Sequence, residues 1–157
     1  ATLQLELGHL EEARAGYELT LALLDGARDV RSHALFSGYL ALTDAFAGHG
    51  QQAAAGLRQV VRRLGVLGEL RFGALFEACL GAVLAMAGER EEAAGHLDAA
   101  QERLAAQGDQ VFLEAVAVHR RQLEPSPHAE PPAALPRDND VRLAWKLLER
   151  RAARGEA

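Results

Sequence analysis

Cysteine occurs once in the 157 residues, at Cys79, so no internal disulfide can staple the fold. Proline is absent until position 125, and all five prolines then fall at 125, 127, 131, 132 and 136. Residues 124–137 therefore cannot continue a helical stack and are expected to form an extended linker. No apolar stretch approaches the roughly 20 residues that a membrane span requires, and the amino end lacks a basic start with an apolar centre. Neither a membrane contact nor a signal peptide is expected, which leaves a cytoplasmic location as the default. Positive charge is scarce too. The net charge of −5 argues against direct binding of nucleic acid, because phosphate contacts need a cationic surface. The deficit is uneven: residues 1–136 carry eleven arginines against eighteen acids, whereas residues 137–157 carry six basic residues against four acids. The chain opens on Ala1 in what reads as the middle of a helix, which suggests a piece of a longer protein.

What is present is a repeat. LGHLEEA at residues 7–13 recurs as AGHGQQA at 47–53 and AGEREEA at 87–93, a spacing of 40 both times. Residues 1–40 set against 41–80 give twelve identities, where chance in so Ala- and Leu-rich a chain gives roughly four to five. Each unit reads as two helices. Ala53, Leu57, Val60, Val61 and Leu64 form one apolar stripe at helical spacing, repeated by Ala93, Leu97, Ala100 and Leu104. The segment from Phe72 to Ala87 is apolar over a wider arc and is expected to be buried on more than one side. Gly8, Gly48 and Gly88 follow apolar stripes and are expected to be left-handed helix stops. Asp29, Glu69 and Asp109 recur where the next helices start and are expected to cap free amides. Alanine at 13, 53 and 93 leaves room for one helix to approach another, with Tyr17, Leu57 and Leu97 as the large neighbours four residues on.

The succession of Leu40-Ala41 or Leu80-Gly81, Gly48 or Gly88, the small Ala53 or Ala93, and a large residue at 57 or 97 resembles the tetratricopeptide repeat. The resemblance covers residues 1–123, as a partial unit 1–28, units 29–68 and 69–108, and a half unit 109–123. The period is longer than the usual ~34 residues, and no proline closes a unit. Units of about 40 residues are similar to those in the sensor regions of large bacterial signalling and transcriptional regulators. The resemblance implies an all-α helical-hairpin solenoid whose first helices form a concave inner wall. Carried over residue by residue, that wall is Leu35, Gly38, Leu42, Ala45 and Phe46, then Leu75, Ala78, Ala82, Ala85 and Met86. It is apolar, which points to an apolar helix or peptide as occupant and not to a charged chain end.

Beyond the linker, residues 138–157 read as a short amphipathic helix capped by Asp138-Asn139-Asp140. Leu143, Trp145, Leu147 and Leu148 are its candidate anchors. A helix of this length is marginal alone and needs a partner surface.

Clusters with chemistry are weak by comparison. The six histidines offer no converging set of three or four metal ligands, so no metal or cofactor is expected. His9 and His49 occupy equivalent turns, while His33, His96, His119 and His128 lack a ligand at helical spacing. Cys79 sits on an apolar arc with Phe76 and Leu80 and reads as a core thiol, with no base implied by its neighbours. Glu89, Glu91 and Glu92 read as a solvated helix start, and Arg28, Arg31, Arg58, Arg62, Arg63 and Arg71 as a mixed-charge face. The expectation is a non-enzymatic protein-interaction or sensor module, binding a protein or peptide, its own C-terminal helix or another domain. A small-ligand effector domain and a homodimerisation module are the alternatives.

Overall fold

The computed structural model describes residues 1–126, 130 and 132–155; Pro127, His128 and Pro131 lie outside them, as do the last two residues of the tail. The described residues form helices joined by short turns, with no strand among them. The helices are α1 (Thr2–Leu7), α2 (Leu10–Ala27), α3 (Val30–Ala47), α4 (Gly50–Val66), α5 (Leu70–Met86), α6 (Arg90–Gln107), α7 (Gln110–Arg120) and α8 (Asn139–Gly155). A 3-10 turn, Arg121–Leu123, extends α7. Consecutive helices from α1 to α7 pack against one another.

The turns keep strict time. Backbone φ is positive at residues 8, 28, 48, 68, 88 and 108, one left-handed residue every 20 positions, and all but Arg28 are glycine. Gly8 and Gly48 close their helices with amides bonded back to carbonyls of the last turn. Arg28 does the same work at φ 56 with a side chain attached, a conformation that costs a non-glycine residue about 1 kcal/mol. Arg28→Gly is expected to raise stability by about 1 kcal/mol in urea unfolding; a loss would contradict the left-handed assignment.

Helix starts follow the expected acids with one exception. Asp29 accepts from the Ser32 amide at 2.9 Å and Asp109 from the Phe112 amide at 3.0 Å. Glu69, longer by a methylene, makes no capping bond and pairs instead with Arg31.

Ala13, Ala53 and Ala93 are fully buried, as are Tyr17, Leu57 and Leu97 one turn later. α5 is the central helix: every residue from Gly73 to Ala85 is buried, with α4 and α6 on its flanks and α3 and α7 beside it. It meets α6 tightly at Gly81, where a Cβ would stand 2.7 Å from Leu97 and 3.0 Å from the Ala93 carbonyl oxygen. One acid is drawn into this helix: Glu77, nearly buried, is paired with Arg103 at 2.5 Å and faces His96 at 3.4 Å, both on α6.

Candidate interaction site

The odd-numbered helices α1, α3, α5 and α7 share one side of the stack, and α8 lies across that side. Its packing partners are α7, α1 and α3, and its side chains enter three apolar clusters. Leu143 and Leu147 join Leu42, Ala45, Phe46, Ala82 and Ala85. Val141 joins Leu75, Ala78, Phe112 and Val116. Ala144 and Leu148 pack with Val118 of α7. Of the wall residues, Leu35 and Met86 are half-buried at the edge of the first cluster, and Gly38 is filled by the Phe76 ring. The residues carried over by resemblance are thus brought to one side of the stack but split between two clusters, under a helix from the same chain.

The tail anchors divide as well. Leu143, Leu147 and Leu148 are buried to within 2% of complete, joined by Val141 and Ala144. Each large aliphatic side chain so buried contributes on the order of 1.5–3 kcal/mol, which is what a helix of this length lacks in water. Trp145 is not an anchor of the same kind: it is half-buried, with the Arg121 guanidinium 5.0 Å from its ring centroid. It borders a cavity of about 360 Å³ shared with Leu7, Leu135, Pro136 and Arg142.

Polar contacts fix the direction of α8. Asp138 caps it, accepting from the Asp140 amide at 2.9 Å and the Val141 amide at 3.3 Å. Arg142 donates to both carboxylate oxygens of Glu6 in α1, at 2.9 and 3.1 Å. At the other end Arg150 donates to the Phe46 carbonyl at 2.5 Å, and Arg151 to the carbonyls of Gln122 and Glu124.

Beneath the start of α8 runs a row of polar side chains that the repeat itself creates. Tyr39, Cys79 and His119 stand 40 residues apart, at the same position of α3, α5 and α7. The Tyr39 hydroxyl donates to Asp140 at 3.0 Å, and Cys79 Sγ lies 3.6 Å from His119 Nε2. The base absent from the neighbourhood of Cys79 in sequence is therefore present one repeat later. It does not activate the thiol. Burial pushes the Cys79 thiol up and the His119 imidazole down to about 4, so both are neutral near pH 7. His119 Nδ1 and Gln122 Nε2 are buried without a hydrogen-bond partner among the described residues.

Asp140 is held at about 6, raised first by burial, with the Tyr39 hydrogen bond opposing and Asp138 adding to the rise. A carboxyl raised on docking adds stability that is complete below its ordinary value and is lost as pH rises through 6. Its neutral replacement, Asp140→Asn, should therefore gain on the parent as pH rises from about 4 to about 6, by up to about 2 kcal/mol in urea unfolding. A difference independent of pH would contradict the buried placement. His119 acts with the opposite sign: its neutral form stabilises above pH 6.5, and that contribution is lost as pH falls through about 4.

Several of the remaining residues singled out in the sequence have side-chain partners. Arg31, Arg58 and Arg71 pair with Glu69, Glu92 and Asp109, each two helices further along the chain, and Arg63 faces His33 at 3.0 Å. His9 and His49 are helix-start residues without a capping bond from the side chain. Among the described residues no group of three His, Cys, Asp or Glu side chains is placed to hold a metal ion, and no helix is long and apolar enough to cross a membrane. No family model, curated protein or solved structure matches this chain.

Proposed function

We propose that this chain is a protein-interaction module whose wall of odd-numbered helices holds an amphipathic helix, supplied in the resting state by α8, and exchanges it for a partner's helix. The observation that carries the proposal is the burial of five apolar residues of α8 on that wall, at the end of a linker whose length leaves the helix free to leave without moving the stack. Recognition would be of the helix-in-groove kind, an apolar stripe entering a preformed channel. The 40-residue period and its likeness to tetratricopeptide sensor regions support a solenoid with a concave wall, and extend the proposal to a role inside a larger bacterial cytoplasmic regulator.

A tethered helix competes at an effective concentration in the millimolar range. A peptide of residues 138–155 carrying Trp145→Phe, titrated into the intact chain, is therefore expected to red-shift Trp145 emission with a midpoint on the order of millimolar. Emission unmoved at saturating peptide would contradict exchange. A second reading rests on the cavity beside Trp145, where Leu7, Leu135 and Pro136 stand beside the charged Glu6, Arg142, Lys146 and Glu149, a mixed lining that suits a small polar ligand with an apolar part. It predicts saturable thermal stabilisation by one metabolite class that Trp145→Ala abolishes.

A further inference from the structure

The basic end of α8 lies where several helix ends meet. α1 stops at Gly8, α3 at Gly48, and the 3-10 turn after α7 at Leu123. Each leaves carbonyl oxygens without a partner in the helix and a partial negative charge at its terminus. The carboxyl end of α8 adds a fourth charge of the same sign, so an uncharged helix laid in this direction would be repelled at that end. Three arginines fill the place. Arg150 bonds the Phe46 carbonyl in the last turn of α3, and its guanidinium lies over Gly8, 3.4 Å from where a Cβ would stand. Arg151 bonds the carbonyls of Gln122 and Glu124. Arg154 lies over Gly48, its nitrogens 2.8 and 3.0 Å from a Cβ built there. A guanidinium offers several donors in a fixed fork and reaches two carbonyls at once, which an ammonium does less well. The other end of α8 is different in kind: Asp138 and Asp140 stand there, with Tyr39 as donor.

We infer that the wall selects its occupant by polarity: it takes an amphipathic protein helix whose apolar stripe follows the spacing of residues 141, 143, 144, 147 and 148, and whose arginines are concentrated in its last two turns. The inference rests on the exchange reading above and adds the chemistry of the partner to it. The rim that reads those arginines is built chiefly from the backbone carbonyls of Phe46, Gln122 and Glu124, at the ends of α3 and of the 3-10 turn, with the Glu124 carboxylate adding to the attraction at Arg151.

The test uses the full chain carrying Leu147→Ala, which weakens its own tail, and three fluorescein-labelled peptides followed by anisotropy. The first is residues 138–155 as they stand. The second carries Arg150→Gln, Arg151→Gln and Arg154→Gln, a change that leaves helix propensity nearly constant. The third keeps the net charge but moves the three arginines into the first turns. The native peptide should bind at least about tenfold more tightly than either of the others, and the advantage should shrink as salt is raised. If the third peptide binds as well as the first, net charge alone suffices and the polarity inference is overturned while exchange stands. If the native peptide itself fails to bind, the exchange reading falls and the inference with it.

Discussion

Leu147→Asp is expected to free α8 while leaving the rest of the stack folded. Leu147 is fully buried in the cluster that also holds Phe46 and Leu42. The substitution removes on the order of 1.5–3 kcal/mol of apolar burial and asks a carboxylate to enter the same place, at a cost of several kcal/mol more. Solvent is available to the carboxylate if the helix leaves. Undocking is thus the lower-energy response. The seventeen residues of α8 form only a marginal helix once their packing is lost, so helical content should fall by up to that segment. Trp145 should become freely quenchable by iodide, and the main unfolding transition should persist. A single transition that collapses altogether, or a tryptophan that does not move, would contradict a separable α8.

Gly81→Val should be the most damaging change within the stack. The added Cβ would meet Leu97 and the Ala93 carbonyl, a backbone atom that cannot swing aside, so α5 and α6 must separate along their contact. Overpacking of a closed core costs about 1–3 kcal/mol, and separating two helices at the centre of the molecule places this site at or above the upper end. Gly95, on α6, is exposed, and a Cβ there meets nothing within 4 Å. Gly95→Ala should stabilise by up to about 1 kcal/mol through helix propensity alone. Opposite signs for the two glycines, read by urea unfolding, would locate the α5–α6 contact; equal small effects would contradict it.

The helices were legible because their punctuation repeats. Glycines at 8, 48 and 88 and alanines at 13, 53 and 93 announce turns and close contacts in residue types whose physics allows few other uses. The wide apolar arc of Phe72–Ala87 marked α5 as a helix covered on several sides. Arg28 carries no sequence mark of its own because nothing in an arginine signals a left-handed backbone; its place midway between Gly8 and Gly48, 20 residues from each, was the available clue. The row of Tyr39, Cys79 and His119 was hidden for a related reason. An aligned repeat is read for identities, and these three positions share a place in the fold without sharing a side chain. Asp140 reads in sequence as part of a cap, which is true of its neighbour Asp138; the burial that lifts its pKa comes from α3 and α5, distant in the chain. The use of arginines 150, 151 and 154 depends on three helix ends converging, and backbone carbonyls leave no mark in sequence.

The separability of α8 is tested most directly by native-state hydrogen exchange on the intact chain. α8 amides are expected to open at a free energy several kcal/mol below that of α5, whose buried residues should exchange only on global unfolding. Protection in α8 should still exceed that of a free peptide by at least about a hundredfold, the sign of real docking. Exchange of α8 and α5 at one common free energy would make the tail an integral part of a single cooperative unit and contradict its role as a replaceable occupant.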